Sequence, residues 1–231
     1  TNIFNEIGAK SAFHKVIEKK IGNHKVAILG LVNPDFYLGI KGIDIKEPFK
    51  IAQKQVEKLK GKKDLIVVVS HLGFDNDLKL AKQVKGIDII FTSHEGRYFY
   101  QPRIVGNTMV VGAGSLGKYM AVLDLRLKKK GESFLNYYSS RKYREALARH
   151  TLEYKRLMSQ PKNRSEYSNQ AAALKSKIRS IQREVDRYDN NNCFRFDFVQ
   201  LGGELKDDPT VKTWVQKAKA TMSDNSVKCD L

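Results

Sequence analysis

The sequence has few cysteines and no long hydrophobic run. Its two cysteines, Cys193 and Cys229, form no C-x-x-C pair, no zinc-ligand spacing and no haem-attachment motif. The two cysteines could form one disulfide or remain two free thiols, and the sequence does not decide between these states. The longest apolar stretches, DLIVVVS and IDIIF, have the length of buried strands, so no membrane-spanning segment is predicted.

Acidic residues are also scarce, with 25 Asp and Glu against 42 Lys and Arg, which gives the 231-residue chain a formal net charge of +17. Such a charge favours polyanions such as phosphates, nucleic acid or anionic lipid head groups. The basic residues are dispersed rather than gathered in one block, a pattern equally typical of a solvated surface. Nucleic-acid binding would rest on charge alone, and it is not predicted.

No signal peptide is recognisable, and the chain begins with Thr1 rather than Met. This start is typical of a mature, processed or partial chain.

Residues 1–136 alternate between apolar runs and amphipathic segments, which predicts an α/β domain. Buried strands are predicted at 25–32, 64–71 and 87–94, and helices at 47–61 and 75–86. Gly106-Asn107 predicts a tight hairpin turn between two antiparallel strands.

Glycine is missing between residues 139 and 191, where a heptad-like apolar stripe runs through charged residues. Pro161 interrupts the stripe, so residues 137–192 are predicted to form an antiparallel helical hairpin, a coiled-coil arm. Such an arm suggests a homo-oligomer or a protein partner bound through residues 140–190. Residues 193–231 predict a strand that returns to the α/β body and a C-terminal helix that packs on it.

Two histidines follow predicted strands, His71 in VVVSHLGFD and His94 in IIFTSHEGR. The carboxyl ends of parallel strands meet at one edge of a sheet, where ligand sites gather. Two neutral imidazoles at that edge can share a divalent metal ion. The alternative is that each is a hydrogen-bonded structural histidine.

The stretch from DLIVVVSH to MAVLDLRL, together with the preceding TNIF and GNHKVAILGLVNP, resembles the later half of a calcineurin-like metallophosphoesterase domain of the bacterial 5′-nucleotidase branch. The resemblance covers residues 1 to about 127. It implies a layered β-sandwich flanked by helices, here with an inserted helical hairpin. It also implies two divalent ions (Mn, Zn, Fe or similar) that clamp a phosphate while a metal-bound hydroxide attacks phosphorus.

The resemblance assigns His71 and His94 to one metal ion. At the position where the family has a second His or Gln ligand, this chain has Gly96, and Glu95 is the available substitute. Arg97 and Arg103 are predicted to attract the anionic substrate, a phosphorylated small molecule or a nucleotide. The family also suggests a periplasmic or secreted location.

The family's D-x-H and G-D motifs, which complete the metal site, occur nowhere in the sequence. Two explanations are open: these ligands precede Thr1, which we expect, or the protein is a non-catalytic relative that acts through its helical hairpin. Gly22-Asn23-His24 imitates the family's metal-binding G-N-H. It is followed by Lys25 and a strand, so we expect Asn23 and His24 to form a turn with no role in the site.

Overall fold

The computed structural model describes residues 1–5, 11, 13–37, 41–159 and 168–224. Strands in these ranges are β1 (Ile3–Asn5), β2 (Ile17–Ile21), β3 (His24–Val32), β4 (Ile43–Ile45), β5 (Leu65–His71), β6 (Ile89–Thr92), β7 (Arg103–Val105), β8 (Thr108–Val111), β9 (Tyr119–Arg126), β10 (Leu135–Asn136) and β11 (Cys193–Gln200). Helices are α1 (Pro48–Leu59), α2 (Phe74–Gln83), α3 (Arg141–Met158), α4 (Ser168–Asp189) and α5 (Pro209–Asp224). The mixed α/β fold predicted from the sequence is confirmed.

The main sheet has six strands in the order β2-β3-β5-β6-β8-β7. Its four central strands, β3, β5, β6 and β8, are parallel, and the outer strands β2 and β7 are antiparallel to their neighbours. The β7–β8 turn is Gly106-Asn107, as predicted, with Val105 opposite Thr108. A second sheet has the order β10-β11-β9, and β1 pairs with β4.

Both faces of the main sheet are buried, and strand β5 shows how. Ile66 and Val68 point to one face, into a core shared with α1 and α2. Leu65 and Val67 point to the other face, where they pack with aromatic residues of the second sheet such as Phe194. Because side chains alternate along a strand, a continuous apolar run is what a strand buried on both faces requires. The result is a layer of helices, a central sheet and a second sheet.

Helices α3 and α4 are in contact, and the start of α3 lies beside the end of α4. The rings of Tyr143 and Tyr188 are 6.1 Å apart between centroids. Arg144 Nη2 donates a hydrogen bond of 2.7 Å to Asp189 Oδ1. The connection through Pro161 lies outside the described residues, so the hairpin as a separate arm stays a prediction.

The chain divides into two compact units, Thr1–Val199 and Gln200–Leu231, and α5 belongs to the second. The predicted boundaries at residues 136 and 192, and the predicted packing of the C-terminal helix on the body, stay predictions. Cys193 is buried, and Cys229 lies outside the described residues. No helix in the described part of the chain combines the length and apolarity needed to cross a membrane.

Candidate functional site

His71 and His94 lie at the same edge of the main sheet. His71 is the last residue of β5, and His94 follows the end of β6, which is the parallel neighbour of β5. Their ring centroids are 4.9 Å apart and their planes are nearly perpendicular, at 84°. The structure therefore brings the two histidines together at the carboxyl edge of the sheet, as predicted.

A serine between the two histidines orients the ring of His71. Ser93 Oγ donates its one proton to the carbonyl oxygen of Ser70 at 2.7 Å. It therefore accepts from His71 Nδ1, which lies 3.0 Å away. With the proton of the neutral ring at Nδ1, His71 Nε2 carries a free lone pair, which is the form that binds metals.

This lone pair points at the second histidine, because His71 Nε2 lies 3.2 Å from His94 Nδ1. Without an ion, His94 Nδ1–H donates to His71 Nε2. Two imidazole nitrogens on one tetrahedral ion at about 2.0–2.1 Å are separated by roughly 3.3 Å. The two nitrogens are thus spaced as ligands of a single ion, so the donor types and their separation fit a divalent metal.

His94 itself has an unusual backbone. Its φ is +86°, a region that residues other than glycine seldom adopt. Its ring is stacked on Phe36, with centroids 3.7 Å apart and an angle of 13° between planes, and Phe36 also meets His71 edge-on at 5.9 Å. Phe36 belongs to a short 3-10 helix after β3, and sequence reasoning missed it. The aromatic wall and the strained backbone both restrict His94 to one orientation.

Glu95, the predicted substitute ligand, is paired with Arg97. Its Oε2 lies 2.9 Å from Arg97 Nε, and the Arg97 guanidinium also lies 4.8 Å from the centre of the Phe74 ring. Among the residues that the structure describes, no group of three or more His, Cys, Asp or Glu side chains is arranged to hold a metal ion. A role for Glu95 as a ligand stays a prediction.

Gly96 is enclosed by the neighbouring loop. Its φ is +61°, and a Cβ added to it would lie 2.5 Å from the Cβ of Ser115. No real Cβ atom tolerates such a contact, so the loop is built for glycine at this position. The conformation of the loop therefore requires glycine at the position where a second metal ligand was expected.

A buried acid lies beneath the site, and it too was missed in the sequence. Asp77 in α2 is fully buried, and its Oδ1 accepts a hydrogen bond of 2.5 Å from Ser70 Oγ. Burial raises the pKa of Asp77 to about 6, while the hydrogen bond from Ser70 opposes this shift. Its contact with Ser70, the residue before His71, ties helix α2 to the end of β5.

The remaining predicted residues lie apart from the histidine pair. Arg103 begins the edge strand β7 and is exposed. Asn23 lies in the turn between β2 and β3, and His24 begins β3, at the opposite end of that strand from Val32, the partner of His71.

Comparison with known proteins gives relatives that include metallophosphoesterases and 5′-nucleotidases. No protein-family profile matches the chain. The chain is 29% identical over 130 residues to the trifunctional nucleotide phosphoesterase YfkN of Bacillus subtilis, covering 53% of this chain. It is 27% identical over 101 residues, covering 43% of this chain, to YunD, an uncharacterized metallophosphoesterase of the same organism. The 5′-nucleotidase of Mus musculus is 26% identical over 139 residues, covering 51% of this chain.

Two solved structures of related proteins are also similar to this chain. A 5′-nucleotidase precursor of Thermus thermophilus matches 58% of this chain with a TM-score of 0.51 and 29% identity. The sulfate thiohydrolase SoxB of the same organism matches 57% with a TM-score of 0.52 and 26% identity. The metallophosphoesterase resemblance is confirmed. It extends over about half of the chain, with homologues named metallophosphoesterase and 5′-nucleotidase.

The metallophosphoesterase relatives are much longer proteins. The chain covers 9% of YfkN, 22% of YunD and 24% of the mouse 5′-nucleotidase. It covers 31% of the Thermus 5′-nucleotidase and 25% of SoxB. The relatives therefore support the metallophosphoesterase-like fold and the phosphoester hydrolase family, and the activity of the whole protein is a matter for proposal.

Proposed function

We propose that the protein is a metal-dependent phosphoester hydrolase of the 5′-nucleotidase kind, in which His71 and His94 hold one divalent metal ion. The observation that carries this proposal is the separation of 3.2 Å between His71 Nε2 and His94 Nδ1 at the carboxyl edge of the sheet. Ser93 keeps the lone pair of His71 free for the ion. When bound, Mn, Zn or Fe would polarise the phosphate and lower the pKa of a coordinated water.

The chain's own residues orient the two histidine rings and attract the substrate. Phe36 holds the ring of His94 in place through stacking, and the hydrogen bond from His71 to Ser93 fixes the other ring. Arg97 supplies positive charge for an anionic substrate, although Glu95 already partly neutralises it. Arg103 lies apart from the histidine pair, and we propose only that its charge attracts the anion from a distance. The described residues supply two ligands, so the proposed centre needs further oxygen or nitrogen donors, among them Glu95 if it leaves Arg97.

The proposed substrate is a phosphorylated small molecule or a nucleotide. Names of relatives support this choice, since YfkN is called a nucleotide phosphoesterase and four mammalian or venom relatives are called 5′-nucleotidases. A periplasmic or secreted location is proposed on the same basis, because one relative is a nucleotidase of snake venom.

A second candidate function is that of a non-catalytic relative, which assembles with itself or a partner through residues 140–190. The loop around Gly96 favours it, because no side chain fits there to replace the ligand expected at that position. The two candidates differ in whether hydrolysis accompanies metal binding.

Metal affinity and hydrolysis measured on the full-length product of the gene separate the candidates. Calorimetric titration with Mn²⁺ gives the affinity, and release of an aryl alcohol from an aryl phosphate gives the activity. We expect His71→Ala with His94→Ala to abolish both. His24→Ala is the matched control, because this histidine lies at the far end of β3, and it should change neither.

The outcomes of these measurements distinguish the two candidate functions. Unchanged metal affinity and activity in the double variant would refute the proposed centre. Metal binding that is lost in the double variant, in a protein that hydrolyses no phosphate ester in any form, would favour the non-catalytic relative.

A further inference from the structure

Three arginines surround one tyrosine ring at the base of the two long helices. The guanidinium carbons of Arg195, Arg144 and Arg126 lie 4.7, 5.3 and 5.6 Å from the centre of the Tyr137 ring. They come from β11, α3 and β9, so three separate elements bring positive charge to one place. Each guanidinium is attracted to the tyrosine ring, and these cation–π contacts compensate part of the repulsion among three like charges gathered around it.

Two of the three arginines have structural partners. Arg144 Nη2 donates to Asp189 Oδ1 at 2.7 Å. Arg126 Nη2 donates to the carbonyl oxygen of Tyr188 at 2.6 Å, in the last turn of α4, where the helix dipole favours a cation. Asp189 also lies 3.7 Å from Arg126 Nη1. These contacts join the end of α4 to the body of the protein.

The guanidinium of Arg195 and one nitrogen of Arg126 have no such partner. Arg195 takes part in no ion pair within the described residues, and Arg126 Nε is buried with no hydrogen-bond partner among them. A buried donor without a partner costs free energy, but Arg126 Nε is enclosed by protein atoms and is not itself exposed to solvent. The exposed arginine of the two is Arg195. Both arginines line the same pocket of about 300 Å³. Its other lining residues are Asp124, Leu125, Tyr137, Cys193 and Phe194.

We propose that this pocket binds a small oxyanion, a phosphate that is either free or the terminal group of a larger molecule. Planar guanidinium groups match the oxygen geometry of phosphate, and Arg195 forms no ion pair among the described residues, although Asp124 lines the same pocket. Asp124 is the one carboxylate in the lining, and it repels an anion from its side, which leaves the side of Arg126 and Arg195 as the binding side. A volume of about 300 Å³ is at the lower end for ligand pockets and has room for a phosphate group.

The site is separate from the proposed metal centre. Neither His71 nor His94 lines the pocket, and the proposal does not depend on hydrolysis. The test therefore uses metal-free protein that carries His71→Ala and His94→Ala, so that phosphate held through a metal ion does not contribute.

Calorimetric titration with inorganic phosphate, at constant ionic strength set by chloride, measures binding. We expect one saturable site, and we expect Arg195→Gln to raise Kd at least about tenfold, through loss of a charge-assisted contact. Arg179→Gln, which removes the same charge from an exposed position on α4, should leave Kd unchanged. Titration with adenosine monophosphate distinguishes the sources, since tighter binding assigns the pocket to phosphorylated molecules and equal binding to free phosphate.

Cys193 offers a second measurement that needs no variant of the pocket. In a Cys229→Ser background it is the one thiol, and it lines the pocket. Phosphate should slow its reaction with a thiol reagent, and chloride at equal ionic strength should not. Absence of a saturable phosphate site, an equal rise of Kd in Arg195→Gln and Arg179→Gln, or no protection of Cys193 would each overturn the proposal.

Discussion

Among single residues, Ser93 has the clearest consequence for the candidate site. Its one proton goes to the carbonyl of Ser70, so the hydroxyl can only accept from His71 Nδ1. We expect Ser93→Ala to release the ring of His71 and to weaken binding of Mn²⁺ by about 10- to 100-fold, the usual effect of losing a partner of a metal ligand. Calorimetric titration measures the affinity.

Nitrogen NMR of the metal-free protein tests the same prediction independently of the metal. His71 should carry its proton on Nδ1 in the wild type, and Ser93→Ala should shift it toward a mixture of tautomers. Ser180→Ala, whose hydroxyl bonds a carbonyl within α4, is the control. An unchanged tautomer in Ser93→Ala would contradict the role given to Ser93.

Two glycines separate the cost of a backbone angle from the cost of a clash. Gly96 and Gly117 have φ of +61° and +63°, but only Gly96 would bring a Cβ against Ser115, at 2.5 Å. We expect Gly117→Ala to lower the free energy of unfolding by about 1 kcal/mol, through the positive φ alone. Gly96→Ala should lower it by a further 1–3 kcal/mol, since overpacking adds to the strain. Urea unfolding measures both, and equal losses would contradict the enclosed loop.

At the scale of the elements, the start of β6 depends on a buried acid. Asp88 precedes β6 and accepts a hydrogen bond of 2.7 Å from Ile66 N. Burial raises its pKa from 3.8 to about 6. The folded protein therefore binds more protons than the unfolded chain between about pH 4 and 6, and stability falls as pH rises through this window. Asp88→Asn should raise the free energy of unfolding at pH 7.5 by about 1–3 kcal/mol and flatten that fall.

Asp64, at the same end of the sheet, is the control for Asp88. Its pKa is lowered, mainly by a hydrogen bond from Lys130, so the stability that it contributes is present above about pH 4 and is lost as pH falls further. Asp64→Asn should therefore leave the slope between pH 4 and 6 unchanged. Thermal unfolding at a series of pH values measures the slopes, and the same slope in Asp88→Asn and wild type would contradict the prediction.

The elements that could be predicted are those whose local pattern and tertiary role agree. Residues 26–29 of β3 and 65–68 of β5 are apolar because both faces of the sheet are buried there, and helix α1 has one apolar face with Pro48 in its first turn. Strand β2 has the sequence IEKKI and is exposed along its length, so nothing local marks it, and it exists because it pairs with β3. Helix α2 begins at Phe74, earlier than the polar residues Asp75 and Asn76 suggest, because Gly73 precedes it with a φ of +87°.

The candidate site could be predicted only in part, because some of its contacts follow from local pattern and others depend on tertiary structure. His71 and His94 follow recognisable strands, and parallel pairing of those strands suffices to bring them to one edge. Phe36 is far from both in the sequence, and its stacking on His94 depends on where the segment after β3 turns. The pairing of Glu95 with Arg97 depends on side-chain conformations in one loop, which no pattern encodes.

For the whole molecule, we predict assembly through α3 and α4. Leu152 and Met158 on α3 are about half exposed, an arrangement that costs little free energy in a monomer and favours association when a second surface covers it. If residues 140–190 mediate a homo-oligomer, Leu152→Glu places a charge in that contact. We then expect the mass in solution, measured by sedimentation equilibrium, to fall to that of one chain.

Leu116→Glu is the matched control for this prediction, because it makes the same chemical change at a residue that is 86% exposed and lies outside the two helices. It should leave the mass unchanged. A charge next to an apolar contact between chains costs several kcal/mol when buried without a partner, so the effect of Leu152→Glu should be large at micromolar concentrations. An oligomer that keeps its mass with Leu152→Glu, and also when residues 140–190 are replaced by a short Gly-Ser linker, would show that assembly uses another surface.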